Sequence, residues 1–116
     1  MRPALLDTAA LVQLAEILGR DGAREVVQAL RDEAGGIAQA CEAALQAEDR
    51  VALARQAHTL KANCALVGAQ ALSIRCAALE HAARRDDPGS LRSQLAALDA
   101  DLHGLVRALD TWLAQP

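Results

Sequence analysis

The sequence predicts an all-α fold, and composition is the first reason. Alanine and leucine supply most of the apolar residues, and both are strong helix formers. Phe and Tyr are absent and Trp112 is the only aromatic residue, whereas sheet proteins usually draw on aromatic and β-branched side chains. The chain has 116 residues, of which 53% are hydrophobic and 23% charged. That length and balance predict one folded domain over residues 1–116 with a single core.

The first predicted element is a short N-terminal helix that begins after Asp7. Asp7 is a suitable N-cap, and Leu6 and Leu11 have the spacing of a hydrophobic staple. Gly19 is a natural C-terminal stop. The apolar face has leucines at steps of three and four: Leu11, Leu14 and Leu18.

Asp21 can cap a second, longer helix that reaches the turn at residues 47–49. Gly35 and Gly36 interrupt its apolar stripe, and each costs about 1 kcal/mol relative to alanine. We expect either a bend at this pair or an unusually close neighbour. The stripe comprises Val26, Val27, Leu30, Ala34, Ile37, Cys41, Ala44 and Leu45.

Two further helices follow the acidic turn. Asp49 is a candidate cap for a third helix over Arg50–Val67, which Gly68 ends. A fourth helix is expected over Ala69–Arg85. Its buried face consists of Leu72, Cys76, Leu79 and Ala83.

The loop Asp86–Ser90 precedes the last helix, and Pro88 is well placed to begin that helix. Its leucines follow a regular four-three alternation, which is typical of bundle packing or a coiled coil. The other long helices also carry apolar stripes and the loops are short, so we expect an antiparallel four-helix bundle with a short additional N-terminal helix, in a monomer. The alternating residues are Leu91, Leu95, Leu98, Leu102, Leu105, Leu109 and Trp112.

Charge and cysteine content argue against several functional classes. The net charge of -3 and pI of about 5.5 disfavour nucleic-acid binding. No apolar run has the roughly 20 residues that a membrane span needs, and the N-terminus lacks the pattern of a secretory signal. The odd number of cysteines predicts reduced thiols in a cytoplasmic protein. The alanine-rich composition hints at a bacterial source.

The segment around His58 has the clearest chemical pattern. Lys61 and Arg55 lie three residues on either side of His58 and share its helix face. Neutral imidazole is a competent nucleophile near neutral pH, and a neighbouring ammonium can stabilise phosphoryl oxygens. A zinc site from His58 and Cys64 is disfavoured because these residues do not share a face. Small side chains surround the histidine and leave it accessible: Ala54, Ala62 and Ala65.

The run His58-Thr59-Leu60-Lys61, followed by small residues and Val67-Gly68-Ala69, resembles the signature of the histidine-containing phosphotransfer (HPt) family. The resemblance covers nearly the whole chain. It implies that His58 is phosphorylated and that Lys61 lies beside the phosphoryl group. It further implies that Glu80, on the neighbouring helix, lies near the histidine, with Arg84 at the rim of the same patch.

The resemblance also implies the partners. Such proteins receive a phosphoryl group from a receiver-domain aspartyl phosphate, often in a hybrid sensor histidine kinase, and pass it to another receiver aspartate. We expect no cofactor on this chain, Mg²⁺ on the receiver, and no phosphorylation by ATP. Ala62 departs from the family pattern, which has glycine there, and predicts altered docking or partner choice.

Two other interpretations remain open. The bundle could be a docking module whose histidine is never phosphorylated, and Ala62 slightly favours this reading. A metal- or cofactor-binding bundle is a third possibility, but the sequence lacks the inward Glu and His pairs that such sites use.

Overall fold

The computed structural model describes residues 6–115. Its helices form a bundle in which each helix contacts the next, α1 also contacts α4, and α2 lies diagonally across from α4. The turns between helices are short, so consecutive helices run antiparallel. The all-α bundle is confirmed, and none of the described helices is long and apolar enough to cross a membrane. The helices are α1 (Thr8–Gln46), α2 (Arg50–Leu66), α3 (Gln70–Ala82) and α4 (Pro88–Leu113).

The short N-terminal helix is present as the first segment of α1. Gly19 has φ 77° and ψ 166°, a backbone conformation that glycine adopts readily, and it separates residues 8–18 from residues 20–46. Leu11 and Leu14 are buried, but Leu18 is 47% exposed. The expectation that Leu18 belongs to the buried face was therefore wrong, because the chain around the Gly19 break, residues 16–20, is exposed throughout.

Aspartates cap three of the helices, and the predicted caps at Asp7 and Asp49 are confirmed. The cap at Asp87 was not predicted. The predicted cap at Asp21 was wrong, because Asp21 lies inside α1, two residues past the Gly19 break. The carboxylates of Asp7 and Asp49 accept backbone N–H bonds at 3.0 Å, and that of Asp87 accepts one from Ser90 at 2.7 Å. Each bond satisfies a donor that the helix itself leaves unpaired. Pro88 occupies the first turn of α4, where its missing N–H costs nothing.

Gly68 joins the α2–α3 turn to the N-terminal segment of α1. Its φ is +78°, which is typical of the glycine that follows a helix. The backbone N–H of Asp7 donates to the Gly68 carbonyl at 3.0 Å. A β-carbon at this position would lie 2.6 Å from the Asp7 carbonyl oxygen and 2.9 Å from the Ala10 β-carbon. The missing side chain of Gly68 therefore lets the N-terminal segment pack here.

Helix α3 ends at Ala82, three residues before the predicted end at Arg85. The Arg50 guanidinium explains how the early end is accommodated, because its Nη1 donates to the carbonyls of Ala83 at 3.0 Å and Asp86 at 2.8 Å. A side chain at the start of α2 thus satisfies backbone oxygens beyond the end of α3. This long-range contact cannot be inferred from local sequence.

Neither expectation for Gly35 and Gly36 is confirmed. The helix continues through both residues, and Gly19 is the single position in α1 with non-helical backbone angles. A β-carbon at either glycine would meet nothing within 4 Å. The structure offers no packing reason for the pair.

The core consists mainly of leucine, alanine and the three cysteines. Cys41, Cys64 and Cys76 are free thiols and all are buried. Burial raises the pKa of Cys41 to about 11, and the hydrogen bond with Cys64 together with burial raises the pKa of Cys76. Cys41 and Cys76 therefore serve as small, uncharged core residues.

Candidate functional site

His58 projects from the exposed face of α2. Its side chain is 62% exposed, whereas its neighbours on the opposite face, Leu53, Ala57 and Leu60, are at most 1% exposed. Helix α2 therefore has one buried face and one exposed face. The ring is open to solvent and within reach of a docking protein.

A carboxylate on the adjacent helix holds one side of the imidazole. The Nδ1 atom of His58 lies 3.0 Å from Oε2 and 3.2 Å from Oε1 of Glu80. The Nζ atom of Lys61 donates to Oε1 of the same carboxylate at 3.0 Å. Glu80 thus bridges the imidazole and the ammonium, and the three side chains form one network across the α2–α3 interface.

The protonation of this network follows from Glu80. The hydrogen bond from Lys61 is the main cause that lowers the pKa of Glu80, and the charges of His58 and Lys61 add to it. The group is therefore a carboxylate at neutral pH, and a carboxylate can only accept hydrogen bonds. Nδ1 of His58 must then carry the proton that it donates. In the neutral ring this leaves the lone pair on Nε2, the nitrogen that does not contact Glu80.

Buried neighbours position the network. Leu60 and Leu79 immediately precede Lys61 and Glu80 in the sequence, and each is 1% exposed. The Ser73 hydroxyl donates to the Lys61 carbonyl at 3.2 Å, which adds a polar link between α2 and α3. The polar residues therefore project from helices whose register is set by the core.

The alanines predicted around His58 do not share one environment. Ala62 and Ala65 are exposed on the histidine's face of α2, as expected. Ala54 is only 6% exposed and belongs to the core, so the expectation that it lies on an open surface was wrong. The physical reason is that α2 packs against both α1 and α3, so its buried surface extends to Ala54.

A cleft of about 460 Å³ lies between α2 and α3 beside the network. Arg84 lies at this cleft, whereas Arg55 is exposed on α2 and is not part of its lining. The sequence analysis did not assign Arg85 or His81 to this surface, although His81 lies three and four residues before Arg84 and Arg85, a helical spacing that was a usable signal. We call it the basic cleft; it is lined by Ala54, Lys61, Ala77, Glu80, His81, Arg84 and Arg85.

Metal-ligand geometry is not found in the part of the chain that the structure describes. Within residues 6–115, no group of three or more His, Cys, Asp or Glu side chains could hold an ion. His58 and Cys64 lie on opposite sides of α2, one exposed and one buried. The groups that the site presents are an accessible imidazole, a carboxylate and an ammonium.

The family model described as "Hpt domain" matches residues 25–113. The chain belongs to the Hpt domain family. The segment of the match contains the whole His58–Lys61–Glu80 network. Membership makes the chain a histidine phosphotransfer domain of a phosphorelay, with response-regulator receiver domains as its class of partner.

Solved structures show the same fold. The crystal structure of histidine-containing phosphotransfer protein B from Pseudomonas aeruginosa PAO1 superposes with a TM-score of 0.88 at 23% identity, over 97% of this chain and 96% of that one. The X-ray structure of a putative histidine-containing phosphotransfer protein from rice gives 0.83 at 23% identity, over 95% of this chain and 80% of that one. No curated protein matches the chain in sequence.

Proposed function

We propose that His58 is the residue that carries the phosphoryl group, taking it from an aspartyl phosphate on one receiver domain and passing it to an aspartate on another. One observation carries the proposal. Glu80 holds Nδ1 of an imidazole that is 62% exposed, which leaves Nε2 with its lone pair directed away from the carboxylate.

The proposed transfer needs no separate base, because Nε2 attacks through its lone pair and Nδ1 keeps its proton. Nε2 attacks the phosphorus, the new N–P bond forms, and the P–O bond to the receiver aspartate breaks. The aspartate leaves as a carboxylate, and the proton on Nδ1 stays between the ring and Glu80. The phosphorylated ring is an imidazolium, whose positive charge the Glu80 carboxylate stabilises. Onward transfer is the reverse reaction with a different aspartate.

Lys61 supplies the neutralising charge in this proposal. Its side chain is one-third exposed and reaches the network from the same helix as His58. Phosphoryl transfer depends mainly on alignment and on stabilising charge on the equatorial oxygens. The ammonium can leave Glu80 and contact those oxygens, because the imidazolium then balances the carboxylate.

The direct test is labelling by a phosphorylated receiver domain in the presence of Mg²⁺, which we assign to the receiver. We expect an acid-labile, base-stable phosphate on the wild-type chain and none on His58→Gln. His81→Gln and His103→Gln are matched controls because both histidines are exposed, and both variants should still be labelled. Absence of label from every receiver tried would favour the docking-module alternative.

A second test distinguishes a role of Lys61 in phosphoryl transfer from a role in folding. We expect Lys61→Ala to slow transfer or to shorten the lifetime of the phosphohistidine, with unchanged helical circular dichroism. An unchanged rate and lifetime would show that the ammonium has no part in the reaction. Lys61→Arg keeps the charge and should retain more of the rate than alanine does.

The source of the phosphoryl group also belongs to the proposal. We assign it to the receiver of a hybrid sensor histidine kinase in the bacterial cytoplasm, with this chain acting as a monomeric carrier and not as an autokinase. Incubation with radiolabelled ATP alone should leave His58 unlabelled. Labelling by ATP without any kinase would contradict this assignment.

A further inference from the structure

The surface on one side of His58 is strongly cationic, although the whole chain has a net charge of -3. The basic cleft contains Lys61, Arg84 and Arg85, with His81 beside them. Among the described residues, Glu80 is the one acidic residue that lines it, and both Lys61 and His58 already contact that carboxylate. The cleft therefore presents an excess of positive charge to a partner.

The two arginines are available for an external partner. Both are exposed and lie just beyond the end of α3. The ion pairs formed within residues 6–115 include neither guanidinium, whereas Arg31 and Arg75 pair with aspartates on α4. Within residues 6–115, no internal ion pair therefore neutralises the charge of Arg84 or Arg85.

The surface on the other side of His58 has a different character. Ala62 and Ala65 are exposed along α2 in the direction of its C-terminal end, and Leu66 is 47% exposed. This stretch offers apolar contact without charge. A partner centred on His58 therefore meets cations toward Arg84 and an apolar surface toward Leu66, and this asymmetry can define its orientation.

We propose that the basic cleft binds an acidic segment of the receiver domain, and that Arg84 and Arg85 steer and orient that receiver for transfer to His58. The inference rests on the proposed function. Complementary charge near a docking site raises the rate of association and suppresses incorrect orientations. Guanidinium groups suit this role because they remain charged and bind carboxylates through two hydrogen bonds.

The test compares two double variants with the same change in charge. Arg84→Glu with Arg85→Glu reverses the charge of the two arginines in the basic cleft. Arg92→Glu with Arg107→Glu makes the same change in charge at exposed positions of α4. Helix α4 does not contact α2. The probe is the receiver domain that labels the wild-type chain fastest within a panel. The measurement is the second-order rate constant of transfer at low and high salt.

We expect the cleft variant to react about 10-fold more slowly than the α4 variant at low ionic strength. The two should converge at about 1 M salt, where the screening length is only ~3 Å. Arg84→Lys with Arg85→Lys keeps the charge but not the paired hydrogen bonds, and should react faster than the charge-reversed cleft variant. Equal rates and equal salt dependence for the cleft and α4 variants would overturn the inference.

Failure of the proposed function gives a different result. If His58 is not a phosphorylation site, no receiver labels even the wild-type chain. If only the docking inference fails, the wild-type chain is labelled and the cleft and α4 variants react at the same rate. Phosphoramidate, a small phosphoryl donor, should label wild type and the cleft variant equally, because it needs no docking surface. Loss of phosphoramidate labelling in the cleft variant would place the arginines in the reaction itself and contradict a role in steering.

Discussion

Replacing Gly68 by alanine tests whether the α2–α3 turn secures the N-terminal segment. The residue has φ +78°, a conformation that costs a non-glycine residue about 1–2 kcal/mol. Its new β-carbon would lie 2.6 Å from the Asp7 carbonyl oxygen and 2.9 Å from the Ala10 β-carbon. Relief of such overpacking typically costs a further ~1–3 kcal/mol.

Gly36→Ala is the matched control, since it makes the same chemical change in the unfolded chain. Gly36 lies within the regular helix, and a β-carbon there meets nothing within 4 Å. Alanine should stabilise the bundle by up to ~1 kcal/mol at this position. At Gly68 the strain exceeds the gain from restricting the unfolded chain, so we expect a net loss of about 2–4 kcal/mol.

Two probes report the result in urea titrations. Circular dichroism follows the whole helical bundle, and the fluorescence of Trp112 follows the N-terminal segment, because Trp112 shares a cavity of about 340 Å³ with Leu11, Val12 and Ala15. We expect Gly68→Ala to lower the midpoint, or to change Trp112 emission before the bundle unfolds if only the segment detaches. A midpoint at or above wild type with unchanged Trp112 emission would refute this role for Gly68.

Three further predictions concern α2 and the network. Arg50→Ala should lower the free energy of unfolding by about 2 kcal/mol, because the lost hydrogen bonds come from a charged donor. The measurement is chemical denaturation, with exposed Arg107→Ala as the control. A loss of stability no larger than that of the control would contradict the prediction. Ala62→Gly should speed transfer from a receiver and lower the stability of the bundle by about 1 kcal/mol. Ala65→Gly is the control. Equal transfer rates in the two variants would show that the methyl group of Ala62 does not limit docking. The lowered pKa of Glu80 means that its carboxylate stabilises the fold above its ordinary pKa and loses this effect as pH falls through the lowered value. Glu80→Gln should therefore be less stable than wild type at neutral pH, and the urea midpoints of the two proteins should converge as the pH falls below the lowered pKa of Glu80. A constant difference would exclude the carboxylate's charge as the cause.

Local sequence was sufficient to predict most of the helical framework. Asp7 and Asp49 were predicted as caps, and each carboxylate accepts an N–H bond of a first helical turn. Such signals depend on a few adjacent residues. The leucines of α4 recur with the helical period and are buried as predicted. The prediction failed at the end of α3, because Arg50, more than 30 residues earlier, satisfies the carbonyls there.

At the candidate site, too, some features follow from the local sequence and others depend on how the helices pack. The sequence by itself determined that His58 and Lys61 share the exposed face of α2, since helical spacing places residues three apart side by side. Only the tertiary structure decided that Glu80 contacts both side chains, that Ala54 is buried, and that Arg84 and Arg85 border one cleft. These facts depend on how α2 and α3 pack, and that packing is set by core residues distributed along the whole chain.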